Sequence, residues 1–354
     1  MNLISVKQRY VSFVTFLADH YFRAKLIFRG DGTRTIHQGK PVIFVSNHSG
    51  MNYPWDNIVL YVMVTRFFGP TFRLMPLATA SIFSRILQPF AISGFWEMFS
   101  SLASGKNFEA MAAAGYNILI NPEGIGGIAK GFNNKYRLQP YASSFVRVAL
   151  KEDREIVPIY VINGEYLNPF AYTLNWVNRL GQKVGIPYLP VGLLTPLYLL
   201  FPFALYISLP ARLRYVFGKK IDLKKFCNKP VEQMSVEELR AIAEKVRVIM
   251  QWELDGFVQE YSQEKFAMGE LLSEIREMGS ASLHLLPFAW PFYFHQIESG
   301  EGRSMRSSSW IACIAMLLPL VGWPIFGLYL ALSRKEKAQL NVNPARPLNL
   351  GKVA

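Results

Sequence analysis

Pro41-Val42-Ile43-Phe44-Val45-Ser46-Asn47-His48-Ser49-Gly50 is an apolar run that stops on polar residues. The stretch PVIFVS has the length and the β-branched and aromatic content of a buried strand. A loop with Gly50 and Pro54 follows, and Asp56 then opens NIVLYVMVTRFF, which has helical length and helix-compatible periodicity. Strand, polar loop and helix in this order are the unit from which parallel sheets are built.

The same unit recurs on both sides. GYNILINPEG (115–124) predicts a second strand and loop, preceded by a helix over 96–113. EIVPIYVI (155–162) predicts a third, preceded by a helix over roughly 140–151. Pro158 inside it removes a ladder donor and predicts an edge or bulged strand. AKLIF (24–28) and LRYVFG (213–218) supply two more strands. Ser235 and Glu238 form a capping box for a long helix whose stripe is Leu239, Ile242, Val246, Ile249 and Phe257. The expected fold is α/β, a mainly parallel sheet flanked by helices.

Length and composition agree. The 354 residues are 51% hydrophobic, 14% aromatic and 18% charged, which excludes disorder, collagen and coiled coil. Two cysteines, Cys227 and Cys313, allow neither a disulfide scaffold nor a zinc finger, so no metal or redox cofactor is expected. Of the net charge of +13, residues 1–40 and 301–354 each hold seven Lys/Arg against two Asp/Glu. The near-neutral middle excludes a nucleic-acid-binding face, and basic ends beside apolar segments fit an anionic membrane.

Three segments carry lipid-like character. Residues 3–24 place Leu3, Val6, Tyr10, Phe13, Val14, Leu17 and Tyr21 on one helical face, for packing on the domain or for lying in a membrane interface. Residues 184–210 contain no charge and five prolines, which suits a surface-embedded or substrate-lining segment better than a clean span. Residues 310–332 are 23 uncharged residues, about 35 Å as a helix, long enough to span or to form a re-entrant hairpin around Pro319, Gly322 and Pro324. The chain thus divides into an N-terminal amphipathic helix and lead-in strand (1–40), a globular domain (41–260) and a hydrophobic membrane-associated tail (261–354).

Chemistry is expected where strands end in loops. His48 directly follows a strand, and Asp56 is a carboxylate that could fix its tautomer; the pair alone equally fits a histidine satisfied within the fold. Pro122-Glu123-Gly124-Ile125-Gly126-Gly127-Ile128-Ala129-Lys130-Gly131 has four glycines that could aim amides at an anion, with Lys130 adding charge. It is not a P-loop, since no Ser or Thr follows Lys130, and it equally fits a flexible turn.

SNHSG with PWDN, NPEG with GIAKGF, RLQPYASSFVRVAL and IVPIYVINGE, in this order, resemble the phospholipid and glycerol acyltransferase family, which includes bacterial 1-acyl-glycerol-3-phosphate acyltransferases. The resemblance covers about 41 to 260. It implies the glycerolipid acyltransferase fold and transfer of a fatty acyl group from acyl-CoA or acyl carrier protein to a hydroxyl of a lysophospholipid or glycerol phosphate. It also implies a membrane location with the site on the cytoplasmic face. His48 would be the general base and Asp56 its partner. Asn47, Glu123, Gly124, Lys130 and Arg137 would bind substrate, without metal or acyl-enzyme.

Three departures shape the expectation. The family pattern has four residues between His and Asp and this chain has seven, so the loop must bulge for the two to meet. Gly126 stands where the family has an arginine after the Glu-Gly pair, and SGFWEM (93–98) holds no basic residue where another is usual. Phosphate would then fall to Lys130, Lys135, Arg137 or loop amides. A non-catalytic membrane scaffold or lipid-binding protein on the same fold is the alternative. A lipid hydrolase is disfavoured because no G-x-S-x-G elbow occurs.

Overall fold

The computed structural model describes residues 3–30, 40–50, 53–79, 93–183, 188–201, 204, 206–299, 314, 317–325 and 328. In chain order the helices and strands are α1 (Leu3–Phe16), continued by a wider turn over Leu17–Tyr21, β1 (Lys25–Phe28), β2 (Ile43–Ser46), α2 (Trp55–Phe68), β3 (Leu74–Ala78), α3 (Ser93–Phe99), β4 (Ser101–Leu102), α4 (Gly105–Ala113) and β5 (Asn117–Ile120). The rest are α5 (Gly124–Ile128), α6 (Ser144–Lys151), β6 (Ile156–Ile162), α7 (Asn175–Lys183), α8 (Thr195–Leu200), β7 (Arg214–Phe217), α9 (Val236–Tyr261), α10 (Met268–Glu277) and α11 (Trp290–Ser299). The predicted helix over 96–113 is two helices, because Ser101 and Leu102 extend to pair with β3 and Ser104 then caps α4.

Seven strands form one sheet in the order β1-β7-β6-β2-β5-β3-β4. Every pairing is parallel except β6 with β7, so the fold is α/β with a mainly parallel sheet. All residues of β2, β5, β6 and β7 are buried, which requires cover on both faces. One helical group sets α1 against α2, α3 and α11; another sets α6 against α4 and α9. The capping box of Ser235 and Glu238 forms as read.

Pro158 corrects half of one expectation. β6 is interior rather than an edge, flanked by β2 and β7. The irregularity is taken up by its antiparallel partner: Ile159 pairs with Phe217, but Ile156 pairs with Ile221, a register shift of one residue. Pro158 sits in that bulge, accepting from Gly218 N–H at 3.0 Å where no reciprocal donor is needed.

Of the two readings of the N-terminal helix, packing on the domain is the one found. Val6, Tyr10, Phe13, Val14, Leu17 and Tyr21 are all buried, each contributing about 1.5–3 kcal/mol relative to exposure. Tyr10 stacks on Phe294 of α11 and Tyr21 meets Trp290 edge-on. The core thus runs across both expected boundaries, at 41 and at 261, since β1 joins the sheet and α11 joins α1. Among the described residues no helix is long and apolar enough to cross a membrane; the run 310–332 lies largely outside them.

Candidate active site

β6, β2 and β5 are adjacent and point the same way, so the residues after Ile162, Ser46 and Ile120 emerge at one edge of the sheet. That edge brings together Asn47-His48-Ser49, Pro122-Glu123 and Asn163-Gly164-Glu165. It is where open parallel sheets place their sites.

His48 is buried, and its ring Nδ1 lies 4.0 Å from Asp56 Oδ2 and 3.3 Å from Asn57 Nδ2. Ser49 and Asp56, at the two ends of the intervening loop, are drawn together. Ser49 donates to Asp56 Oδ2 through both its N–H (3.2 Å) and its hydroxyl (2.8 Å), folding the loop back onto the start of α2. Asp56 Oδ1 accepts Asn57 N–H at 2.9 Å, and Tyr215 donates to the Asp56 carbonyl at 2.7 Å, so the carboxylate is fixed from several sides. At 4.0 Å the histidine and carboxylate face each other without hydrogen bonding, and a shortening of about 1 Å would complete the bond.

The peptide of His48 is held as firmly. Glu123 accepts His48 N–H at 2.8 Å and Gln139 N–H at 2.7 Å, which ties the loops after β2 and β5 together. Asn121 Nδ2 donates to the carbonyls of Ser46 and Asn47 at 3.1 and 3.2 Å, adding a second tie. The predicted loop after Glu123 is instead the helical turn α5. Packing requires glycine at 127, where a Cβ would lie 2.5 Å from Glu123 Cβ and 3.0 Å from His48 Cβ. Gly50, at φ +78°, has Lys130 O where a Cβ would stand, 2.5 Å away. Gly124 N–H is spent on Asn121 O at 3.0 Å, and its φ of +55° makes it a turn residue.

Two expected substrate ligands have other duties. Asn47 is wholly buried, its Nδ2 donating to Val161 O at 3.1 Å and its Oδ1 accepting Val161 N–H at 2.8 Å. Its amide therefore continues the β2–β6 ladder past Ser46. Lys130, expected to offer its charge on the loop, has a side chain only 1% exposed, with Nζ 3.8 Å from both Glu123 Oε2 and Glu165 Oε1. It also donates to Arg137 O at 3.4 Å. Arg137 precedes α6 by seven residues rather than opening it, and its side chain is exposed.

Glu165, Ser49 and Asn57 were not singled out from sequence. Glu165 Oε1 accepts Tyr136 N–H at 3.0 Å, while Oε2 is buried without a partner. Burial raises the Glu165 carboxyl to about 7 against the opposing pull of Lys130. Burial likewise raises Asp56 and Glu123, opposed by hydrogen bonds and by Lys130. His48 is pushed down to about 3, first by burial and then by the Lys130 charge, so its ring is neutral at physiological pH. A neutral imidazole beside a carboxylate can accept a proton, and the nearby carboxylate can stabilise the imidazolium that results.

No protein-family model matches this chain. It is 29% identical over 210 residues to an uncharacterised protein of Mycobacterium leprae, covering 59% of this chain and 53% of that one. It is 28% identical over 202 residues to an uncharacterised protein of Mycobacterium bovis, covering 57% and 54%. The chain spans about half the length of the curated relatives it matches. Among solved structures it is similar to the 1-acyl-sn-glycerophosphate acyltransferase PlsC from Thermotoga maritima, with a TM-score of 0.41 and 12% identity over 73% of this chain and 81% of that one.

Proposed function

We propose that this chain is an O-acyltransferase that moves a fatty acyl group from acyl-CoA or acyl carrier protein to a hydroxyl of a lysophospholipid or glycerol-phosphate acceptor at a membrane. The observation that carries the reading is a neutral, buried His48 beside Asp56 at the carboxyl edge of the sheet. The order of the sequence motifs around it supports the choice of reaction.

In this reading Nδ1 carries the ring proton, with the Asn57 amide turned to offer it Oδ1, and His48 Nε2 takes the proton of the acceptor hydroxyl while its oxygen attacks the thioester carbonyl. The tetrahedral adduct collapses, the carbon–sulfur bond breaks, and the thiolate recovers the proton from His48. Burial keeps the ring free to accept, and it also makes the imidazolium costly. Asp56 must therefore close on Nδ1 as the proton arrives, because hydrogen bonds at such sites often tighten only with substrate bound. Glu123, Lys130 and Asn121 hold the loop and need not touch substrate. Arg137, exposed beside the loop, is the basic residue assigned to the acceptor phosphate.

Detergent-purified protein incubated with labelled acyl-CoA and a panel of lysolipids tests the reading. Acylated product that disappears with His48→Ala supports it. Free fatty acid would indicate hydrolysis, and no turnover of any donor and acceptor pair would leave a scaffold or lipid-binding role.

A further inference from the structure

Residues 170–183 and 188–200 carry a series of large apolar side chains on the exterior. Phe170, Trp176, Leu180, Leu193 and Leu199 face outward, with Trp176, Leu193 and Leu199 at 60%, 63% and 66% exposure. On α7, Trp176, Arg179, Leu180 and Lys183 recur at helical spacing and are all exposed, whereas Asn178 and Gly181 face inward. No Asp or Glu occurs between Glu165 and Asp222, so the charges that residues 170–200 themselves carry, Arg179 and Lys183, are cationic.

Hydrogen bonds join the pieces into one layer. Asn178 Oδ1 accepts Leu189 N–H at 2.8 Å, fixing α7 to the next segment. Tyr172 and Val191 exchange backbone hydrogen bonds at 2.8 and 3.2 Å. Leu320 N–H and Trp323 Nε1 donate to the carbonyls of Leu200 and Leu199 at 2.8 and 3.0 Å, which adds exposed Leu320 and Val321 to the same surface. The inner side of the layer grips the candidate active site. Phe132 N–H donates to Ala171 O at 2.7 Å and the Thr173 hydroxyl donates to Ala129 O, on either side of Lys130.

We propose that this layer is a docking surface for an anionic lipid bilayer, with Trp176, Leu180, Leu193 and Leu199 entering the interface and Arg179 and Lys183 meeting the headgroups. An exposed apolar patch of this kind marks an interaction site. A tryptophan and leucines flanked by basic residues suit the headgroup boundary. Charge selects the occupant. A second copy would bring Arg179 and Lys183 against their own kind, whereas anionic lipid attracts each of them. The docking surface stands on this chemistry alone. Only its service to catalysis, by which an acceptor would pass from bilayer to site beside Ala129 and Phe132, rests on the acyltransferase reading.

Flotation of the full chain with vesicles tests it, comparing phosphatidylcholine alone with phosphatidylcholine containing phosphatidylglycerol. Binding should favour the anionic vesicles and fall about tenfold or more in Trp176→Ser/Leu199→Ser. Arg179→Glu/Lys183→Glu should lose the preference for anionic vesicles. Trp252→Ser, which removes a 78% exposed tryptophan from α9, should bind as wild type. Hydrogen exchange of the amides of α7 and α8 should slow when anionic vesicles are added. Wild-type flotation of the apolar double variant, or unchanged exchange in both helices, would overturn the proposal. So would a dimer seen by light scattering that the same double variant dissolves, because a second copy would then be the occupant. Acyl transfer to a detergent-dispersed acceptor is the separate readout: its loss with vesicle binding intact would strike the catalytic reading and leave the surface standing.

Discussion

Two neighbouring regions invert the usual rule of burial in opposite senses. Behind the ends of β2, β5 and β6, five ionisable groups are packed away from water: His48, Asp56, Glu123, Lys130 and Glu165. A few residues on, the layer over 170–200 holds Trp176, Leu193 and Leu199 out into solvent. Each inversion costs stability, since buried charge loses hydration and exposed apolar surface orders water. Both lie at the same edge of the sheet and are joined through Ala129 and Phe132. The opposite kind of packing, apolar inside without ionisable groups, is what α1 shows with Tyr10, Val14 and Leu17. The difference separates parts that only hold the fold from parts shaped for a ligand.

The comparison breaks first at Lys130 if the buried cluster is mere chance. Lys130→Met removes the cation that, among the described residues, faces both Glu123 and Glu165, leaving buried carboxylates uncompensated. Breaking such a pair from one side costs about 3–5 kcal/mol, the largest effect expected here. Chemical denaturation measures it. A loss below about 1 kcal/mol would mean that water or rearrangement already screens the cluster.

His48→Ala should cut turnover by at least about 10²-fold, some 2.7 kcal/mol in the barrier, while the fold persists. Asp56→Asn should follow in the same direction and by less, since Ser49 and Asn57 already hold that carboxyl group away from full contact with the ring. A folded His48→Ala protein with near-normal turnover would end the mechanism. A silent Asp56→Asn would show that the distance of 4.0 Å never closes.

The pH dependence sharpens the same contrast with smaller shifts. Because burial and Lys130 hold His48 down to about 3, kcat/KM should show no acid limb from this ring near its ordinary value of 6.5. A limb at that position which vanished only on replacing His48 would refute the buried, neutral base. Glu165 works on stability. Its native pKa of about 7 lies above the ordinary 4.5, so the folded state keeps a proton that the unfolded chain releases. Its contribution is therefore present below 4.5 and lost as pH rises through about 7. Glu165→Gln should gain a few degrees in Tm relative to wild type across that window, and parallel Tm curves would show the carboxyl ionises freely.

Much of this was legible in the sequence because period and position carry it. The three strand-loop units gave the sheet, its mainly parallel sense and the edge where His48 and Glu123 meet. The stripe Val6, Tyr10, Val14, Leu17 gave a helix, but an apolar stripe has no mark that says whether protein or lipid covers it. Asn47 beside a catalytic candidate looked like a ligand, yet an amide at a strand end can equally extend a ladder, and here it pairs with Val161. Lys130 was legible as a charge near the Glu123 turn and not as a buried one, because its second carboxylate, Glu165, comes from the turn after β6, 35 residues away in the chain. Glu165 itself was hidden for the same reason. The signal that could have found it was its position, three residues past the end of β6, just as Glu123 stands three residues past β5.

The smallest expected effect closes the comparison from the apolar side. Leu193→Ser and Leu199→Ser replace side chains that face outward, so each should change unfolding stability by no more than about 0.5 kcal/mol in the absence of lipid. Tyr10→Ala in α1 removes an aromatic side chain of the same lipid-like stripe that is wholly buried against Phe95 and Phe294, and such truncations cost about 3–5 kcal/mol. Denaturation of the three variants side by side reads the difference directly. If the surface leucines cost as much as Tyr10, another part of the chain packs over them and the layer is core rather than interface. If they cost nothing without vesicles and their loss lowers stability only where lipid is present, the stability of this face is supplied by the bilayer it binds, through mass action on the folded state.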